Sequence, residues 1–307
     1  MCNLFTYLRW KQGFLKLDRQ GDAMKKESVH CELLSGQKVR CLLCPHYCVL
    51  AKEQKGKCGV RQNQQGRLYS LIYGEATSIA LDPIEKKPLY HFHPGKSILS
   101  LGTRGCNLKC PWCQNFSISQ DPNCPMQRIT PQQAVAKAKE LNSFGIAYTY
   151  NEPFIWYEFV CDTAKLAHQA GLKNVLVTNG YIDRKPLEEL IGLIDAMNID
   201  VKSMQEDFYQ KYCQGRLAPV LEAAEFSAQR CHVEITNLII PTLNDQEESL
   251  EKLVDWVAEK LGKDTPLHFL RYFPMYQFDI PPTPIETLKL AKTIAAKKLR
   301  HVYLGNA

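Results

Sequence analysis

The chain has 307 residues, 45% of them hydrophobic, with no low-complexity tract, which is enough to bury a full core and excludes disorder as the default state. Lysine and arginine (38) exceed aspartate and glutamate (32) by six, most densely at Lys289, Lys292, Lys297, Lys298 and Arg300, an excess that suits an anionic partner without requiring one. Its 13 cysteines occur without a signal-peptide pattern in residues 1–29 or a run apolar enough to span a bilayer, so the reading is a cytoplasmic chain whose thiols serve as ligands rather than a disulfide framework.

Residues 1–23 read as a poorly periodic leader, and Met24 is a candidate start. Residues 24–95 form a cysteine-rich region, in which Cys41, Cys44, Cys48 and Cys58 give C-x2-C-x3-C-x9-C. Four thiolates at that spacing suit tetrahedral zinc and equally an auxiliary iron-sulfur cluster, and His46 is a candidate replacement ligand. The segment from Asp82 to Gly95 gathers two lysines, two histidines and a tyrosine. It reads either as an active-site rim or as a proline-stiffened linker.

From residue 96 to 307 short apolar runs alternate with helical stretches. Strands are predicted at Ser97–Gly102, Gly145–Tyr150, Asn174–Thr178, Ala196–Val201, His232–Ile240, Leu267–Phe273 and His301–Leu304. Leu187, Leu190, Ile191 and Ile194 share one helix face, as do Leu250, Leu253, Val254 and Val257. Thr130 with Gln133 and Thr283 with Glu286 are predicted capping boxes. Repeated strand then helix implies a parallel sheet, a barrel or part of one, whose chemistry sits at the strand C-terminal ends.

Directly after the first of these strands, Cys106, Cys110 and Cys113 form C-x3-C-x2-C. Three thiolates on a short loop can hold three irons of a four-iron cluster and leave the fourth open to the amino and carboxylate groups of S-adenosylmethionine (SAM). The alternatives are a zinc site and buried structural cysteines. Trp112, between the last two cysteines, reads as a lid on the cluster or on adenine, or as a core aromatic.

Cys106, Cys110 and Cys113 with Trp112 resemble the C-x3-C-x-aromatic-C signature of the radical SAM superfamily, in the branch of the pyruvate formate-lyase-activating enzymes. Leu43-Cys44-Pro45-His46, Asp82 to Phe92, Cys113-Gln114-Asn115 and Tyr148 to Pro153 extend the resemblance to the AmmeMemoRadiSam-system radical SAM proteins. The resemblance implies an α/β fold, a partial (β/α)6 TIM-like barrel with a small N-terminal cysteine-rich region. It also implies a 4Fe-4S cluster that reductively cleaves SAM to a 5'-deoxyadenosyl radical, an electron donor of flavodoxin or ferredoxin type, and a glycyl-radical-type protein substrate.

Glu152, in the Asn151-Glu152-Pro153 turn, stands at the same sheet end as the cysteine loop and can accept from the SAM ammonium, the role the resemblance also implies. Thr178 and Asn179, before Gly180, allow close approach to a ribose, although Asn-Gly is also a plain turn. Asn198, Asp200 and Lys202 share one strand face, and Lys202 can pair with the SAM carboxylate or, structurally, with Asp200. His268 and Arg271 fall on opposite faces of their strand, so at most one points inward. Cys2, Cys31, Cys124, Cys161, Cys213 and Cys231 lack ligand spacing and read as packing residues.

Two other classes compete. A non-catalytic iron-sulfur electron carrier has no need of Glu152, Asp200 and Lys202 around an open iron. Zinc-dependent nucleic-acid binding needs an aromatic and basic strip, for which the region offers only Tyr47, Lys52, Lys55 and Lys57, so no nucleic-acid partner is expected.

Overall fold

A computed structural model describes residues 25–306. The leader, the start at Met24 and Cys2 lie outside the described residues. The main sheet has eight strands: β1 (Ser78–Pro83), β2 (Ser97–Gly102), β3 (Gly145–Tyr148), β4 (Lys173–Thr178), β5 (Ala196–Asp200), β6 (His232–Ile239), β7 (Leu267–Arg271) and β8 (Val302–Gly305). They lie side by side in chain order, with β2 to β8 parallel and β1 antiparallel to β2. Among the described residues the edges β1 and β8 do not pair, so the barrel is open.

Six helices, α1 (Pro131–Glu140), α2 (Tyr157–Gln169), α3 (Arg184–Ile191), α4 (Ala218–Ala228), α5 (Glu247–Trp256) and α6 (Ile285–Ala296), connect β2 through β8. This is the expected partial (β/α)6 barrel. Its core follows from the sequence pattern: β3 is buried at every position, as a strand covered on both faces must be, and Leu187, Leu190, Leu250 and Leu253 are buried on their helix faces.

Two predicted strands end early for identifiable reasons. Tyr150 takes φ +73, which is incompatible with a strand, and β7 stops short of Pro274, which has no amide to donate. Strand β1 was not expected, because its Asp82 and Pro83 are poor strand formers. It carries the sheet back across the boundary read at residue 95.

The Thr130–Gln133 capping box forms, with Gln133 N donating to Thr130 Oγ1 at 3.1 Å and Thr130 N to Gln133 Oε1 at 2.8 Å. The box expected at Thr283 does not: its hydroxyl donates to Ile239 O at 2.6 Å and accepts from Tyr272 N at 3.0 Å, and Pro284 is the residue before α6. There a tertiary bond to the end of β6 outcompetes the local cap.

The N-terminal region forms two antiparallel three-stranded sheets, Cys31–Leu33 with Val39–Cys41 and Val49–Leu50, and Lys26–Glu27 with Arg67–Ser70 and Arg61–Gln64. Val39, Leu43, Leu50, Val60 and Leu68 are buried in one continuous core with Leu108, Trp156 and Tyr181 of the barrel. Arg61 crosses that junction, donating to Glu158 of α2 at 2.6 and 3.0 Å, to Ser28 Oγ at 2.6 Å and to Ile155 O at 3.3 Å.

Candidate functional site

A cavity of about 760 Å³ occupies the inside of the open barrel. Cys106, Cys110, Trp112 and Cys113 line one end, and Lys86, Lys87, Tyr90 and His268 line the other. Between them stand Glu152, Thr178, Asn179, Asn198, Asp200 and Lys202. Every residue singled out in the sequence around the cysteine triad therefore meets in one space.

The triad loop is clamped at its first turn. Gly105 has φ +90, and a Cβ there would stand 2.7 Å from Cys58 O and 2.8 Å from Val60 Cγ1, so glycine is needed for both conformation and space. Asn107 Nδ2 donates to Tyr181 O at 2.7 Å, its Oδ1 accepts from Asn179 Nδ2 at 2.9 Å, and its carbonyl accepts from His46 Nε2 at 2.7 Å. His46 is thereby engaged with the loop.

Among the described residues no three Cys, His, Asp or Glu side chains converge as a single metal ion requires. The thiols of Cys106, Cys110 and Cys113 line one cavity together, and such a soft donor set suits an iron-sulfur cluster. In the metal-free protein burial pushes the Cys106 thiol well up, and the neighbouring Cys213 followed by burial does so for Cys110. A metal held by these sulfurs would have to displace those protons.

Glu152 is buried at the head of α2's leading turn. Its Oε1 accepts from Phe154 N at 2.9 Å and Thr178 Oγ1 at 2.8 Å, and its Oε2 from Asn179 N at 2.8 Å. A carboxylate has about four acceptor positions, so one is left. Burial, partly offset by these donors, raises its pKa to about 7. Asn179 turns its own amide to protein: Nδ2 reaches Asn107 and lies 3.6 Å from Cys106 Sγ, while Oδ1 accepts from Tyr181 N at 2.9 Å.

Asp200 and Lys202 form an ion pair at 2.8 Å facing the cavity. Burial works against the Lys202 ammonium, but Asp200 and the nearby Cys110 raise its pKa. Trp112, 3% exposed, packs among Phe208, Tyr212 and Phe278 with ring centroids 5.3 to 6.1 Å away.

At the other end, the Asp82–Gly95 segment is wall rather than linker. Lys87, 1% exposed, donates to Asp82 at 2.7 Å and lies over the Tyr150 ring, and Asn198 Nδ2 donates to Pro88 O at 2.8 Å. His268 points inward while Arg271 Nε donates to Thr283 O at 2.8 Å.

Sequence reading missed the anchor of this end, Glu234 in mid-β6. It accepts from His268 Nε2 at 2.6 Å, His232 Nε2 at 2.9 Å, Tyr90 N at 3.0 Å and His91 N at 2.7 Å. Burial would raise its pKa, but these donors outweigh it and hold it at about 2. An acidic residue inside an apolar strand was the available signal.

The Radical SAM superfamily profile matches residues 100–257, more than half of the chain. The chain belongs to the radical SAM superfamily. Its members use a 4Fe-4S cluster and SAM, so this is a radical SAM enzyme carrying those cofactors. It is 45% identical over 286 residues to an uncharacterized protein of Methanocaldococcus jannaschii, covering 92% of this chain and 85% of that one. It is 25% identical over 162 residues to a pyruvate formate-lyase-activating enzyme of Clostridium pasteurianum, 50% of this chain and 66% of that one, a distant relation. A radical SAM methyltransferase from Sphaerobacter thermophilus shares the fold, with TM-score 0.51 and 13% identity over 69% of this chain and 67% of that one. No helix among the described residues is long and apolar enough to cross a membrane.

Proposed function

We propose that Cys106, Cys110 and Cys113 hold the 4Fe-4S cluster of this radical SAM enzyme, and that Trp112, Glu152, Thr178, Asn179, Asp200 and Lys202 enclose SAM beside it. The carrying observation is that the triad loop opens into the same cavity as Glu152 and the Asp200–Lys202 pair. A mere electron carrier needs no such carboxylate and ammonium beside its cluster. When bound, the cluster supplies one electron that cleaves SAM and frees a 5'-deoxyadenosyl radical.

The chain's own residues do the rest. The remaining acceptor position of Glu152 receives the SAM ammonium, Lys202 reaches its carboxylate, and Trp112 covers the apolar side. Thr178 orients Glu152, and Asn179 lines the ribose with its backbone and Cβ, its amide being occupied. The far end of the cavity, walled by Lys87, Tyr90 and His268, is left for the substrate.

The distant likeness to an activating enzyme supports a glycine of a glycyl-radical-type partner protein as the target, with reduction by a flavodoxin- or ferredoxin-type donor in the cytoplasm. The local motifs support membership of the AmmeMemoRadiSam-system branch, for which a small molecule or peptide is the second reading. The four thiols of Cys41, Cys44, Cys48 and Cys58 suit zinc and an auxiliary iron-sulfur cluster alike.

Anaerobic reconstitution followed by reductant-dependent 5'-deoxyadenosine formation tests the main reading. No SAM cleavage with the cluster verified overturns it, as does full activity in Cys110→Ala.

A further inference from the structure

None of the three triad sulfurs is left without a protein neighbour. Cys106 Sγ accepts from Leu108 N at 3.4 Å and Asn179 Nδ2 at 3.6 Å. Cys113 Sγ lies 3.2 Å from Ser119 Oγ, and Cys110 Sγ lies 3.7 Å from Cys213 Sγ. These partners arrive from separate places: Ser119 ends the short helix Phe116–Ser119 behind the loop, and Cys213 closes a π-helical turn, Tyr209–Cys213, beyond β5. Both are buried, at 3% and 0% exposure, where water cannot substitute for them.

The direction of these bonds follows from the ligation proposed above. A free thiol can donate or accept, but a thiolate bound to iron has no hydrogen left. Ser119 Oγ also accepts from Gln120 Nε2 at 3.4 Å, which turns its own hydrogen toward Cys113. Cys213 is fixed by its carbonyl, which accepts from Lys109 N at 2.9 Å in the triad loop, so the two cysteines are held in mutual reach. No other acceptor stands at its thiol among the described residues.

We infer that Ser119 and Cys213 are positioning residues that set the reduction potential of the cluster by donating hydrogen to the sulfurs of Cys113 and Cys110. The inference rests on the ligand reading of the triad. One-electron reduction adds negative charge that spreads onto the thiolates, and a donor aimed at sulfur stabilises the reduced form more than the oxidised one. In a buried site that difference is weakly screened. Cys213, which the spacing alone assigns to packing, thereby joins the redox machinery without being a ligand.

The test is an anaerobic redox titration of the reconstituted protein without SAM, following the reduced cluster by electron paramagnetic resonance. For Cys213→Ala and for Ser119→Ala the reduced-to-oxidised ratio at a fixed potential falls roughly tenfold, about 59 mV for one electron. The two shifts add in the double variant, because the donors act on different sulfurs. Ser119→Thr, which keeps the hydroxyl, titrates close to the parent.

Alanine variants with full iron content that titrate with the parent overturn the inference. So does a Ser119→Thr shift as large as that of Ser119→Ala, or a loss of iron on reconstitution, which would assign these residues to cluster assembly. The ligand reading fails separately, if Cys110→Ala still holds the parent's cluster.

Discussion

Glu158→Gln tests the junction between the cysteine-rich region and the barrel. The substitution leaves the Arg61 guanidinium, 1% exposed, with Ser28 Oγ, Ile155 O and one amide oxygen as acceptors but without a countercharge, and turns an amide N–H2 toward it; its Nε already lacks a partner. Removing one member of a buried pair costs about 3–5 kcal/mol, because the remaining charge is stranded away from water. At roughly 2 °C per kcal/mol for a chain of this size, Tm falls by about 6–10 °C. Replacing both partners, Arg61→Met with Glu158→Leu, removes the desolvation cost together with the attraction and brings stability back to within roughly 1 kcal/mol of the parent, about 2 °C in Tm. The assay is thermal unfolding of the metal-free protein by circular dichroism for the parent, Glu158→Gln, the singles Arg61→Met and Glu158→Leu, and their double variant. A Glu158→Gln cost below about 1 kcal/mol, or a double variant no better than the singles, refutes the reasoning.

Three further outcomes are expected. Gly105→Ala, whose Cβ would stand 2.7 Å from Cys58 O at φ +90, displaces the triad loop and lowers iron content after reconstitution, measured by iron and sulfide analysis. Glu152 has a folded pKa raised to about 7, so below its unfolded value the group costs nothing, and stability is lost as pH rises from about 4.5 through 7. Urea unfolding of the metal-free protein between pH 5 and 7.5 shows this decline, by up to about 3 kcal/mol, and Glu152→Gln flattens it. Cys44→Ala leaves the triad's cluster in place and removes the metal held at Cys41 to Cys58, and iron and zinc counts identify it: a loss of about four irons per chain assigns an auxiliary cluster, a loss of about one zinc a structural zinc site.

What was legible in the sequence was what acts locally. The apolar runs marked β2 to β7 because parallel strands are buried on both faces, and the triad announced itself by spacing. What was not legible came from contacts between remote segments. Cys213 meets Cys110 from 103 positions away, and Glu234 takes the amides of Tyr90 and His91 from 144 and 143 positions away. The Cys213 contact leaves no local pattern, and Glu234 shows only as an acidic residue inside an apolar strand, with no sign of its partners. Thr283 misled for the same reason, its perfect local motif giving way to the Ile239 carbonyl.

The contact of Gly105 with Cys58 and of Asn107 with His46 makes the two cysteine sites mechanical neighbours. Each loop's shape is a boundary condition for the other. By thermodynamic reciprocity, whatever filling one of these sites would do to the order of the other's loop, filling the second would do to the first by the same free energy.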